Sequence, residues 1–180
     1  MFKIAALILL AFITFGCNTN ADTKERLIKN TVTTDYTSYV NPFIGTSKMG
    51  HVFPGATSPF GMVQLSPQTN FEVMFQNDGN YNKETYEYCA GYQHRDSTII
   101  GFAHTNFSGT GHSDLGDLLI MPIVGDLVVD PIKSKEGEKG FYSTFSHDKE
   151  EASPGYYKVD LDSYGIKAEL TATDRVGFHQ

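Results

Sequence analysis

The stretch "GYYKVDLDSYGIKAELTATDRVGFH", residues 155–179, sets the fold class. Tyr157, Val159 and Leu161 alternate with Tyr156, Lys158 and Asp160. After the turn formers "DSYG", Ile166, Ala168, Leu170 and Ala172 alternate with Lys167, Glu169, Thr171 and Thr173. Side chains at every second position share one face of a pleated strand. Two such runs on either side of a Gly-containing turn predict an antiparallel hairpin with one buried and one wet face. Val176 and Phe178 begin a further strand, and the sequence stops at Gln180 within that pattern. An unpaired edge strand is a liability for a complete sheet, so the expectation is a sheet cut short.

Upstream of the hairpin the signal is turn chemistry. Eleven of the 17 glycines lie between Gly45 and Gly125, a density that helices tolerate poorly, at about 1 kcal/mol per interior glycine relative to alanine. Short strands joined by ordered loops fit better. "MVQL" (62–65), "TIIGFA" (98–103) and "DLLIMPIV" (117–124) are strand candidates, with Pro122 marking an edge or bulge in the last. The fold class expected from pattern is all-β, a sandwich.

Composition bounds the function. The chain has 180 residues, 40% of them hydrophobic, enough for one domain with a real core. Its formal net charge is −7. An acidic chain without Lys/Arg clusters lacks the footprint that nucleic-acid phosphates require, so no nucleic acid is expected as a partner.

The N-terminus reads as an export signal. Lys3 precedes the apolar run "IAALILLAFITF", too short for a bilayer span of roughly 20 residues but suited to a secretory leader. The run ends at "TFGC", residues 14–17, which resembles a bacterial lipobox; Gly16 fits and Thr14 departs from the usual aliphatic residue. The expected organisation is a lipoprotein signal peptide over 1–16, lipidation at Cys17, a flexible tether over 17–35 and a domain over 36–180. Lipid chains anchor through burial of methylenes, at about 0.8 kcal/mol each, so a membrane contact through Cys17 is implied. Cys89 is then alone and no intrachain disulfide is expected.

Four of the six histidines, His51, His94, His104 and His112, fall in this turn-rich region. Three chemistries are weak here. No HExxH or CxxC is present, and the His94–His104–His112 spacing matches no zinc motif; loop-anchoring histidines are the expectation. "FSGTGHSDLGD" (107–117) offers glycines for a phosphate cradle but lacks the Lys that a P-loop needs, and its Asp114 and Asp117 repel phosphate. Ser108, Ser113 and Cys89 have no assigned base and no Gly-x-Ser-x-Gly elbow. Cys89, between aromatic and small residues, is expected to be buried. A carbohydrate pocket remains, with Phe43, Phe53, Phe60, Tyr92, Phe102 and Phe107 offering ring faces beside polar loops. Aromatics filling a core give the same composition.

Four blocks carry a resemblance: "YVNPFIGT" (39–46), "GHVFPGATSPFGMVQLSP" (50–67), "GYQHRDSTIIGFAHTNFSGTGHSDLGDLLIMP" (91–122) and the hairpin stretch. In this order they resemble the N-terminal domain of glycoside hydrolase family 92, the bacterial calcium-dependent exo-α-mannosidases. The resemblance implies a galactose-mutarotase-like β-sandwich and a C-terminal (α/α)6 catalytic domain as partner. It also implies a mannose-containing glycan, an N-glycan or mannan, as ligand. Hydrolysis in the family is inverting, with one carboxylic acid protonating the leaving oxygen and a second carboxylate activating water. By the same resemblance the acid, the base and the main calcium ligands are expected from the C-terminal domain, outside these 180 residues. Asp96, Asp114, Asp117 and Glu72 therefore inherit no catalytic role, and the fragment alone is expected to be inactive. By block position, Phe43, Cys89, Gly91, His104 and His112 are the candidates for sugar contact. The family also implies an exported bacterial lipoprotein, at the outer membrane or in the periplasm. The rival readings are a free-standing, lipid-anchored carbohydrate-binding module and a structural surface lipoprotein.

Overall fold

The structure, a computed structural model, describes residues 34–69, 78–112, 115–129 and 140–180. The leader, Cys17, the tether up to residue 33, Glu72, Ser113 and Asp114 lie outside the described residues. Residues Tyr36–Gln180 form one unit.

The described residues hold nine strands and four short 3-10 turns. The strands are β1 (Ala56–Thr57), β2 (Gln64–Gln68), β3 (Thr98–Ile99), β4 (Gly101–Ala103), β5 (Ser143–Thr144), β6 (Glu150–Ser153), β7 (Tyr156–Leu161), β8 (Ile166–Ala172) and β9 (Gly177–His179). They pair antiparallel into sheets ordered β1-β2-β4, β3-β5 and β6-β7-β8-β9. The β1-β2 edge packs on β7 and β8, which makes the two layers of a sandwich. The expected all-β class holds.

The hairpin follows the period-two pattern. Leu161 pairs with Ile166 across the turn, and Tyr157 with Leu170 further out. Tyr157, Val159, Leu161 and Leu170 are buried and meet Ala56, Leu65, Tyr92, Ile99, Phe102 and Phe145 in one core. Burial of each large apolar side chain contributes about 1.5–3 kcal/mol, and here those side chains come from both layers.

Three upstream expectations shift. The "MVQL" strand lies later, at Gln64–Gln68, and includes Pro67. Phe102, opposite Pro67, gives its backbone N–H to Ile120 at 2.8 Å, so the missing proline donor breaks no bond between β2 and β4. "TIIGFA" is two strands in two sheets, split at Ile100, whose N–H bonds Gln68 at 2.9 Å. "DLLIMPIV" forms no strand, only a bridge between Ile120 and Phe102. Leu118 takes a left-handed φ of 54°, and Pro122 has no donor with which to extend the ladder. The close approach of this segment depends on Gly101, because a Cβ there would stand 2.9 Å from the Ile120 carbonyl oxygen.

Candidate functional site

His104 leaves the end of β4 with its backbone held on both sides. Its N–H bonds the Asp117 carbonyl and its own carbonyl accepts from Gln64, both at 3.0 Å. Its ring Nδ1 lies 2.7 Å from the Leu118 carbonyl. A carbonyl only accepts, so Nδ1 carries the proton and Nε2 of the neutral ring carries a lone pair. That Nε2 faces Nε2 of His179 at 3.1 Å. His179 arrives on β9, where it pairs with Leu170, and its ring also meets Phe102 edge-on. Burial, then the neighbouring His104, holds the His179 pKa below the ordinary value. His179 Nε2–H then donates to His104 Nε2, so the neutral pair keeps the His179 Nδ1 lone pair as an acceptor beside neighbouring ring faces, a set suited to hydroxyl groups.

The loop of "FSGTGHSDLGD" is fastened from its flank. His51 presents its carbonyl to Gly109 N–H and its Nδ1 to the Thr110 carbonyl, both at 2.7 Å. Its buried Nε2 has no hydrogen-bond partner. Thr110 Oγ1 donates to the His112 carbonyl at 3.1 Å and accepts from His112 N–H at 3.3 Å, leaving the His112 side chain exposed. Asp117 fixes the far end, accepting from Thr105 Oγ1 at 3.1 Å while its N–H bonds that same hydroxyl at 3.0 Å. Anchoring is thus what His51, His104 and Asp117 visibly do. Asp96 accepts from the Tyr88 hydroxyl at 3.1 Å.

The remaining candidates divide. Cys89 is a buried thiol, its Sγ 3.0 Å from the Tyr86 carbonyl. Gly91 has φ +78°, and a Cβ there would collide with the Gln68 amide. Gln68 in turn donates to Asn106 at 2.7 Å. Phe43 packs its ring against His94, not His104, with centroids 5.4 Å apart.

His94 leads to a group that the sequence reading missed. Glu150 stands on the inward face of β6, opposite Val159, with its side chain 1% exposed. Its Oε1 accepts from Tyr157 at 2.6 Å and from Tyr92 at 3.0 Å. Its Oε2 meets Tyr92 at 3.0 Å and His147 Nδ1 at 2.6 Å. Tyr92 also lies 3.3 Å from His94 Nδ1, and the His94 and His147 rings, tilted by 36°, have centroids 4.1 Å apart. Burial, then the Glu150 charge, pushes both tyrosine pKa values well up. The β6–β7 register carries the reason for its burial: residues opposite each other in a hairpin share a face, and Val159 is buried.

Calcium fits none of this. It takes six to eight oxygen ligands, whereas the one convergent group found among the described residues is His94, His147 and Glu150, two imidazoles and one carboxylate.

Fold and loops together define the class, an all-β sandwich domain with histidine-bearing loops. The sequence matches the glycosyl hydrolase family 92 N-terminal domain over residues 39–180. The family 92 α-mannosidase of Bacteroides thetaiotaomicron, solved with mannoimidazole, is 43% identical with a TM-score of 0.68, covering 79% of this chain and 17% of that one. A second solved family 92 glycosyl hydrolase is 33% identical with a TM-score of 0.61, covering 81% of this chain and 18% of the other. An uncharacterized secreted glycosidase of Arthroderma benhamiae is 29% identical over 147 residues, which are 81% of this chain and 17% of that protein. The chain belongs to glycosyl hydrolase family 92, as its N-terminal domain. It spans less than a fifth of the length of these relatives.

Proposed function

We propose that this domain forms one wall of the mannose pocket of an exo-α-mannosidase. The observation that carries the reading is the 43% identity to an α-mannosidase solved with mannoimidazole. The substrate class is terminal α-mannose on N-glycans or mannans. The His104–His179 pair, Gly91 and the His112 loop supply hydroxyl-facing and backbone-facing surface. The acid and base of an inverting hydrolysis, and the oxygen ligands for calcium, belong to a C-terminal catalytic domain. Apolar side chains are available to such a partner: Phe60, Met62, Leu118, Leu127 and Val129 are all exposed. Export through the leader and anchoring through lipidated Cys17 complete the reading, in line with a secreted relative. Incubating the full chain with p-nitrophenyl α-mannoside and calcium tests it. No p-nitrophenol above the blank is expected, and enzymatic release would overturn the division of labour.

A further inference from the structure

We propose that His94, His147 and Glu150 form a binding site for a divalent transition-metal ion of the zinc class, separate from the sugar-facing loops. One ligand atom of each residue lies within 4.8 Å of the other two. Two imidazoles and a carboxylate are the donor set of open zinc sites, and nitrogen donors select zinc over calcium.

Three further observations favour an ion here. First, Glu150 is an anion whose side chain is 1% exposed, and the contacts to its oxygens come from two tyrosines and one histidine. A buried charge needs compensation, and those tyrosine donors carry no charge. Second, the surroundings match those of a metal ligand. With Oε2 on the ion, Oε1 keeps the hydroxyls of Tyr157 and Tyr92, as ligating carboxylates are themselves hydrogen-bonded. Third, the rings are held by packing: Phe43 lies against His94 and Phe145 edge-on against His147, at centroid distances of 5.4 and 5.0 Å. Both histidines are half-buried, which leaves an entry path.

Binding is a ligand exchange with simple proton accounting. The ion takes the place of the proton between His147 Nδ1 and Glu150 Oε2; that ring proton moves to Nε2, so His147 ligates as a neutral imidazole. Water completes the tetrahedron.

The test uses the purified full chain, stripped with chelator, dialysed against zinc chloride and assayed for metal after gel filtration. Cobalt(II) replaces zinc in a parallel titration read by its visible absorption. About one zinc per chain and a tetrahedral cobalt spectrum are expected. His94→Ala and His147→Ala are each expected to weaken binding about tenfold or more. Glu150→Gln puts an amide NH2 donor in place of one carboxylate oxygen beside two buried tyrosine donors and risks unfolding, so the half-buried His94 is the decisive position, with circular dichroism confirming the fold. No retained zinc, or binding unchanged in both histidine variants, overturns the proposal. If His147 alone compensates Glu150 by protonation, the stripped chain takes up no zinc, which also overturns it.

Discussion

His104 and His179, 75 residues apart, meet Nε2 to Nε2 at 3.1 Å, and the Leu118 carbonyl determines which ring gives the hydrogen. Because His104 Nδ1 bonds that carbonyl at 2.7 Å, its Nε2 accepts and His179 donates. Protonating both rings sets two positive charges face to face, so the pair is stable with at most one.

Acid pH therefore acts against this contact. The His179 pKa is lowered in the folded state, so on acidification the unfolded chain takes the proton first. The contribution is fully present above the unfolded value, about 6.5, and is lost as pH falls from there through the folded value. An NMR titration should find His179 titrating below the ordinary histidine range. His104→Ala should raise it, since the second cause of the shift is removed; an unmoved value would refute the coupling.

Alkaline pH tests the buried carboxylate. Tyr157 gives its hydroxyl to Glu150 Oε1 at 2.6 Å, and burial followed by the Glu150 charge raises its pKa. A raised folded pKa gives stability present below the unfolded value, about 10, and lost as pH rises beyond it. Tyrosinate absorbance should show Tyr92 and Tyr157 silent until the fold opens. Tyr156, whose hydroxyl donates to Glu169, should titrate near 12 in the folded chain, with the hydrogen bond as the leading cause. Tyr157→Phe should cost about 1.5–3 kcal/mol in urea unfolding, the worth of a hydrogen bond to a charged group.

Gly91→Ala should destabilise the domain through backbone and packing together. The position has φ +78° and its Cβ would strike the Gln68 amide, which holds Asn106 at 2.7 Å. Strain of this kind costs about 1–3 kcal/mol. A thermal midpoint equal to that of the parent chain would refute it.

The β7-β8 hairpin was legible because one face is apolar and the other wet, and the alternation survives in burial residue by residue. The 117–124 run misled because apolarity is not burial: Leu118 and Val124 are exposed. His104 and His51 are placed by carbonyls of other turns, at Leu118 and Thr110, which no local pattern announces. Glu150 was hidden for the opposite reason. A charged residue in "HDKEEAS" reads as solvated, and one of its hydrogen-bond donors, Tyr92, lies 58 residues away. His179 was passed over because its partner lies across the sandwich rather than along the chain.

The central claim is that this chain itself carries sugar-contacting surface at His104. The direct measurement is an NMR titration of the full chain with α-methyl mannoside, following the histidine ring resonances. The account predicts shifts at His104 and His179 that saturate with sugar and disappear in His104→Ala, while the His94 and His147 resonances stay still. Rings at His104 and His179 that ignore the sugar up to its solubility would contradict it.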